Sequence, residues 1–70
     1  MKTLNFISSS NVRRMEYNEE TKVLRITFVG GKTYEYSDVD EETFDKAEHA
    51  KSVGKYFNDN IRGKFKMREV

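Results

Sequence analysis

Few side chains in this sequence have the types and spacing that catalysis needs. His49 is the only histidine, and no partner is spaced to orient it as a general base. Ser8, Ser9 and Ser10 form a polar run without the sharp strand-to-helix turn that exposes a nucleophilic serine. We therefore expect no enzymatic activity and no catalytic residue.

Two further features resemble ligand-binding loops but have the wrong spacing. The acidic residues at 38–42 lack the ligand pattern and central glycine of a calcium loop, and the electrostatics of a helix start explains them more simply. Gly30-Gly31 precedes neither a helix nor the lysine of a phosphate loop, so it is interpreted as a hairpin turn. The sequence has no cysteine, which removes thiolate ligands. We expect no metal site and no cofactor.

Three features have the chemistry to bind RNA or DNA. Tyr34 and Tyr36 share one face of a predicted strand, and paired aromatic rings can stack bases. The segment Ser52-Val53-Gly54 opens a predicted helix, whose free N–H groups and missing side chain at Gly54 would admit a phosphate. Basic side chains suited to phosphate contacts surround that segment: Lys51, Lys55, Arg62 and Lys64.

Each of these features also has a purely structural explanation. Tyrosines of a small domain are often core residues with a hydrated hydroxyl, and Gly54 can permit close packing of a helix on a sheet. Asn58 and Asn60 can bond to nearby backbone. A protein-interaction module that uses a sheet edge or an aromatic face, such as a phage regulator of a host protein, is therefore the alternative hypothesis.

Length and charge constrain both hypotheses. The 70 residues make one domain, 1–70, and such a chain buries only about 60% of the surface that its unfolded form exposes. The net charge is +1, but residues 38–50 sum to −5 and residues 51–70 to +4. This layout offers a basic end to an anionic partner, although the acidic block interrupts the basic surface.

No segment has the composition of a membrane span or a signal peptide. A span needs roughly 20 apolar residues, and the N-terminal residues lack the apolar run of a signal peptide. We expect a cytoplasmic protein with no membrane contact.

Alternation of apolar and polar residues predicts a three-stranded antiparallel meander. The apolar sets of the strands are Met15 and Tyr17, then Leu24, Ile26 and Phe28, then Tyr34 and Tyr36. Val12 is out of phase with the first set, which indicates a β-bulge or an early loop residue.

The turn at Gly30-Gly31 decides where the tyrosines point. We expect a two-residue turn, which pairs Thr27 with Tyr34 and places both tyrosines on the face away from Phe28. A three-residue turn, Gly30-Gly31-Lys32, would instead pair Phe28 with Tyr34 and send the tyrosines to the Phe28 face.

Two short helices are predicted after the strands, which makes the fold class α+β. Asp40 is the expected N-cap of the first, with Val39 and Phe44 as a hydrophobic staple, and this helix should end near residue 50. Ser52 is the expected N-cap of the second, and Gly63 its stop. The residues after Gly63 form either a short extra strand or loose chain. The expected core comprises Met15, Tyr17, Leu24, Ile26, Phe28, Val39, Phe44, Val53, Phe57 and Ile61.

Six sequence elements follow one another in an order and spacing that are specific when taken together. They are Ser9-Ser10-Asn11-Val12, Tyr17, Leu24-Arg25-Ile26-Thr27-Phe28, Gly31, Tyr34-Glu35-Tyr36, and the segment from Ser52 to Ile61. In this pattern the chain resembles the KTSC family, named for the C-terminal domain appended to some lysyl-tRNA synthetases. Asp40 stands where the family often has proline, and both residues suit a helix start.

The resemblance implies a stand-alone bacterial or phage protein without an established activity. Attachment of the family's domain to a tRNA-charging enzyme suggests RNA binding, which is an argument by analogy.

Overall fold

Five strands form one antiparallel sheet in this protein, whose computed structural model describes residues 1–6 and 9–70. The strands lie side by side in chain order: β1 (Lys2–Asn5), β2 (Val12–Asn18), β3 (Val23–Phe28), β4 (Thr33–Tyr36) and β5 (Met67–Glu69). Two helices, α1 (Glu41–Glu48) and α2 (Val53–Asn60), separate β4 from β5 in the chain. The predicted α+β class is confirmed, but the sheet has four strands before the helices rather than three, and a fifth after them.

The two additional strands are the edges of the sheet. β1 pairs with β2 so that Leu4 is opposite Met15, and β5 pairs with β4 so that Met67 is opposite Tyr36. β1 alternates between half-buried and exposed residues, and all three residues of β5 are exposed. Their sequences therefore carry little of the apolar signal that marks β2 and β3. The extra strand suggested for the C-terminal residues is present.

A β-bulge brings Val12 into the core. The pairing of β2 with β3 shifts between Val12 and Arg14, which makes Arg13 the extra residue. Val12 consequently lies on the same face as Met15, and both side chains are fully buried. The predicted bulge is confirmed, and Val12 joins the core.

The turn between β3 and β4 has three residues, Val29-Gly30-Gly31. The Phe28 N–H donates to the Lys32 carbonyl at 2.8 Å, and Ile26 is opposite Tyr34. The predicted two-residue turn is wrong. The three-residue alternative, Gly30-Gly31-Lys32, has the observed length but begins one residue later than the observed turn. Both glycines of the observed turn have positive φ angles, 106° for Gly30 and 99° for Gly31, a conformation that residues with a side chain rarely adopt.

This register reverses the predicted orientation of the tyrosines. Tyr34 and Tyr36 lie on the face that packs against the helices, together with Leu24 and Ile26, rather than on the opposite face. Tyr36 is buried and Tyr34 is partly buried. Because successive side chains of a strand alternate between faces, a shift of one residue is enough to cause this exchange.

Both predicted helix starts are confirmed. The Asp40 carboxylate accepts from the Thr43 N–H at 3.3 Å, and Ser52 Oγ accepts from the Lys55 N–H at 3.3 Å. The Thr43 hydroxyl also donates to the Asp40 carboxylate, and this bond is the main cause that holds the pKa of the Asp40 carboxyl below its usual value. Beyond α2, Gly63 has a φ of 76°, as expected of a residue that ends a helix.

The core lies between the helices and one face of the sheet. Tyr17 joins the two layers, because its hydroxyl donates to the Val39 carbonyl at 2.6 Å and its ring stacks on Phe44 with centroids 5.4 Å apart. Nine of the ten predicted core residues are buried, and the tenth, Phe28, is partly buried and packs against them. Val12, Tyr36 and Ala47 complete the set.

The opposite face of the sheet carries a row of alternating charges. Glu16, Arg25, Glu35 and Arg68 are successive cross-strand neighbours on β2 to β5. The Glu35 carboxylate lies 2.6 Å from Arg25 Nη2 and 2.9 Å from Arg68 Nη2. Hydrogen bonds from Arg25 and then Arg68 hold the pKa of Glu35 below its usual value. Glu35 thus ties β4 to both of its neighbours.

Phe57→Ala should lower the free energy of unfolding by about 3–5 kcal/mol. The Phe57 ring is only 6% exposed and packs edge-on against Phe28 and Tyr36. Phe28→Ala should cost less, since that ring is partly exposed, and Val29→Ala at a 46% exposed position is the control. Chemical denaturation measures all three. Equal midpoints for the Phe57 and Val29 variants would contradict this core.

Glu35→Gln should destabilise the domain by about 0.5–2 kcal/mol near neutral pH, because two partly exposed ion pairs are lost. The folded-state pKa of Glu35 is depressed, so its stabilisation is complete above the unfolded-state pKa of about 4.3. It is lost as the pH falls through the folded-state pKa. Denaturation of both proteins across pH tests this. The control is Glu42→Gln, whose only ion pair in the described chain is to Lys46 at 3.9 Å. A difference that persists undiminished in acid would contradict the assignment.

Candidate functional site

A polar groove of about 600 Å³ opens at the start of α2. Its lining comes from three parts of the chain: the end of β1 with Asn5 and Phe6, the loop 9–11, and residues 50–55 together with Asn58 and Asp59. Four of the eight predicted site residues line it, namely Lys51, Ser52, Gly54 and Lys55. The fold thus gathers distant segments around the helix start that the sequence singled out.

The loop 9–11 is held by hydrogen bonds to its own backbone and to the next turn. Ser9 Oγ accepts from the N–H of Asn11 at 3.2 Å and from that of Val12 at 3.0 Å. The Asn11 carbonyl in turn accepts from the Val29 N–H at 2.8 Å. These bonds fix the direction in which the loop enters β2 and place the Asn11 side chain beside α2.

Gly54 allows this loop to approach the helix. A Cβ added at Gly54 would lie 3.3 Å from the Asn11 Cβ and 3.4 Å from Asn11 Nδ2, which is tighter than ordinary van der Waals contact. Gly54 therefore does permit close packing, but its close neighbour is the side chain of Asn11 in the loop and not the sheet. Gly54 shapes the groove by leaving room for Asn11.

Ser52 serves first as the helix cap. Because Ser52 Oγ accepts from the Lys55 N–H, one of the N–H groups that the sequence offered to a phosphate already has a partner. The groove lining at this end offers polar side chains besides the helix start, namely those of Lys51, Lys55, Ser10 and Asn58.

The acidic block of the sequence contributes no carboxylate to the lining of this groove. Lys2 of β1 pairs with Glu41 and Asp45 of α1, and the hydrogen bond that Lys2 Nζ donates to the Glu41 carboxylate is the main cause that raises the pKa of Lys2. Among the described residues, the one acidic side chain in the groove lining is Asp59, against Lys51 and Lys55. None of the acids at 38–48 lines the groove, although Ala50, from the same stretch of sequence, does.

A second pocket of about 320 Å³ adjoins the groove and shares Asn11 and Asn58 with it. Its further lining consists of Phe28, Tyr34, Phe57, Arg62 and Met67. Tyr34 lies edge-on to Phe28, with ring centroids 5.7 Å apart. Tyr34 and Arg62, two more predicted site residues, thus meet in an aromatic-floored pocket next to the basic groove.

Two predicted site residues lie outside both cavities. Tyr36 is 4% exposed, its ring packs edge-on against Phe57 at 5.7 Å, and burial raises the pKa of its hydroxyl. Its ring is therefore part of the core and is not accessible for base stacking. Lys64 is exposed but lines neither the groove nor the pocket.

Sequence reasoning did not assign Ser9, Ser10, Asn11 and Asn58 to the site. The one sequence feature that could have identified them is their position, since each belongs to a segment that resembles the KTSC family. Asn60 does bond to nearby backbone as expected, because its Nδ2 donates to the Tyr56 carbonyl at 3.2 Å. Asn58 is exposed and lines both cavities instead.

Two structural features bear on cofactors and membranes. Within residues 1–6 and 9–70, no three acidic, histidine or cysteine side chains come together as a metal-binding group. His49 is exposed and its Nδ1 lies 2.9 Å from the Asp45 carbonyl oxygen. Neither described helix has the length and apolar character to cross a bilayer.

Several known proteins are similar to this chain in sequence, and one of solved structure is similar in fold. The KTSC domain model matches residues 8–65. A crystal structure of a KTSC domain protein from Yersinia pestis superposes with a TM-score of 0.87 and 31% identity over 99% of both chains. A protein from Tsukamurella paurometabola is 32% identical over 60 residues, which cover 86% of this chain and 90% of that protein.

Similar sequence also occurs inside a much longer protein. A lysine–tRNA ligase from Nostoc punctiforme is 34% identical over 61 residues, 87% of this chain. The match spans only 11% of the length of that ligase. Since the family model covers most of the sequence and the fold agrees over the whole chain, this protein belongs to the KTSC domain family.

Proposed function

We propose that this domain is a non-catalytic cytoplasmic module that binds RNA or DNA through the groove at the start of α2. The observation that carries the proposal is the placement of Lys51 and Lys55 on a groove that holds none of the acids of α1. Within a Debye length of about 10 Å, local charge acts on a polyanion more strongly than the net charge of the protein.

The groove has the functional groups that contact a phosphate–sugar backbone. Lysine ammonium groups, hydroxyls and amides supply most such contacts in protein–nucleic acid interfaces, and here they are Lys51, Lys55, Ser10, Asn11 and Asn58. Few positive charges are available, so the affinity is modest and depends on salt.

The relatives favour an RNA partner over DNA. A segment similar to most of this chain forms part of a lysine–tRNA ligase, a protein whose name states that it acts on tRNA. Similar sequence thus occurs both inside a long enzyme and as nearly the whole of a short protein. This distribution supports a binding module that functions in different protein contexts.

A protein partner is the second candidate, and the edge strand β5 supports it. Among residues 1–6 and 9–70, β5 pairs only with β4, so its other edge offers unpaired backbone groups to an extended peptide. Apolar side chains stand exposed at this edge, with Met67 at 50% and Val70 at 55%. Met67 also lines the second pocket, whereas Val70 lines neither cavity, so variants at Val70 and in the groove separate the two candidates.

Lys55→Glu should weaken binding of tRNA and of short oligonucleotides of any sequence by a similar factor. Phosphate contacts carry no sequence information, and loss of one of about three contacts should reduce a log–log salt slope of roughly −2 to −3 by about 1. Fluorescence anisotropy over a salt series measures both quantities.

Lys64→Glu is the matched control, because it makes the same charge change within the same basic stretch but outside the groove. It should change affinity and salt slope much less than Lys55→Glu. Equal effects of the two variants would show that total charge rather than this groove governs binding. No retention of tRNA or oligonucleotide by the wild type at low salt would refute the proposed function.

A further inference from the structure

We infer that the second pocket, which Tyr34, Asn58 and Arg62 help to line, holds one unpaired nucleobase of a strand bound in the groove. The inference rests on the proposed function and specifies it, because it assigns the pocket a ligand of defined chemistry. Single-stranded RNA or DNA is thereby the partner, since bases of a duplex are paired and stacked and cannot enter a side pocket.

The floor of the pocket suits a flat aromatic ligand. Phe28 lies edge-on to Tyr34 at 5.7 Å and to Phe57 at 5.1 Å, so the three rings form one aromatic cluster, in which Phe57 is buried. Tyr34 and Phe28 are only partly buried, which leaves part of this surface open to the pocket. Bases bind such surfaces by stacking or edge contact whatever their identity.

The size of the pocket limits the ligand to one base or a similar group. Its volume of about 320 Å³ is at the lower end of the roughly 300–1,000 Å³ that is usual for small-molecule sites. A helix or a strand segment would not fit. A single planar ring with its polar edge at the rim does.

The rim carries the groups that a base edge needs. Each amide of Asn11 and Asn58 offers donors and an acceptor, and the Arg62 guanidinium offers several donors in a fixed plane. Within the described chain, no ion pair holds Arg62, and the amides of Asn11 and Asn58 bond to no other group. An apolar side chain of a peptide would leave these polar groups without partners, so the rim favours a base over a peptide.

The pocket and the groove adjoin each other. Asn11 and Asn58 line both, so a strand whose phosphates contact Lys51 and Lys55 passes directly beside the pocket mouth. Gly54 maintains this arrangement by giving Asn11 its room. The groove thus supplies attraction for the backbone, and the pocket distinguishes a strand with accessible bases from one without.

The test compares two probes on the full chain at low salt by fluorescence anisotropy: a labelled 12-nucleotide single-stranded RNA and an abasic strand with the same ribose–phosphate backbone. The wild type should bind the intact RNA at least about fivefold more tightly, the lower end for one stacked base. Tyr34→Leu, at a residue that lines the pocket but not the groove, should remove most of that preference and leave the affinity for the abasic strand unchanged. Asn58→Ala should also remove most of the preference, and it should weaken binding of the abasic strand modestly because Asn58 lines the groove as well.

Asn60→Ala is the matched control for the asparagine, since it lies on the same helix outside both cavities, and it should keep the full preference. Melting temperatures establish that every variant is folded. NMR adds a readout that needs no variant, because the side-chain amide signals of Asn11 and Asn58 should shift with intact RNA and those of Asn60 should not.

The outcomes separate this inference from the proposed function. Equal affinity for intact and abasic strands would overturn the base pocket while leaving a backbone-binding groove. Retention of the preference by both Asn58→Ala and Tyr34→Leu would also overturn it, since the bases would then bind elsewhere. Binding of neither strand would refute both proposals and assign the aromatic floor to a protein partner.

Discussion

The buried hydrogen bond from the Tyr17 hydroxyl to the Val39 carbonyl fixes the point at which the chain leaves the sheet. The Val39 N–H donates to the Lys22 carbonyl at 2.9 Å, so both backbone groups of this fully buried residue have partners. An unpaired buried polar group costs about 1–3 kcal/mol, a large share of the stability of a small domain. With Val39 held, α1 begins at Glu41 after its Asp40 cap and places Phe44 on the Tyr17 ring. The Tyr56 hydroxyl of α2 donates to the Thr43 carbonyl of α1 at 3.1 Å, which ties the second helix to the first.

The candidate site consists largely of loops, yet its geometry is set by the sheet. The bulge at Arg13 turns Val12 inward, and the Val29 N–H holds the Asn11 carbonyl at the edge of the β3–β4 turn. Loop 9–11 therefore has anchors on both the sheet and its own Ser9 hydroxyl. Functional side chains on a loop are best positioned when a rigid scaffold fixes the loop in this way. The same bulge that fills the core thus also presents Asn11 to Gly54.

Local patterns in the sequence were sufficient for the parts of the fold that rest on local physics. The Asp40 and Ser52 caps, the strands β2 to β4 and nearly all of the core follow from alternation, helical spacing and capping chemistry. Alternation does not reveal β1, in which Leu4 is only partly buried. For β5, whose three residues are all exposed, it leaves both a strand and loose chain open. The prediction of the turn was wrong for another reason. Gly30-Gly31 fits both two-residue and three-residue turns, and the length of the turn decides on which face of the sheet Tyr36 lies. The groove required contact between Asn11 and Gly54, which no local pattern encodes, although the need for glycine inside a helix hinted at a close neighbour.

Charge placement explains how a domain with a net charge of +1 can present a basic site. The acids of α1 are partly neutralised by Lys2, which reaches them from the edge strand β1. On the far face of the sheet, Glu35 satisfies Arg25 and Arg68, so these two arginines are already paired. The cations that line the groove and the pocket are Lys51, Lys55 and Arg62, and among the lining residues Asp59 is the one acid. Screening within about 10 Å at moderate salt confines attraction to that neighbourhood, so the arrangement of charges, more than their number, determines where a polyanion can bind.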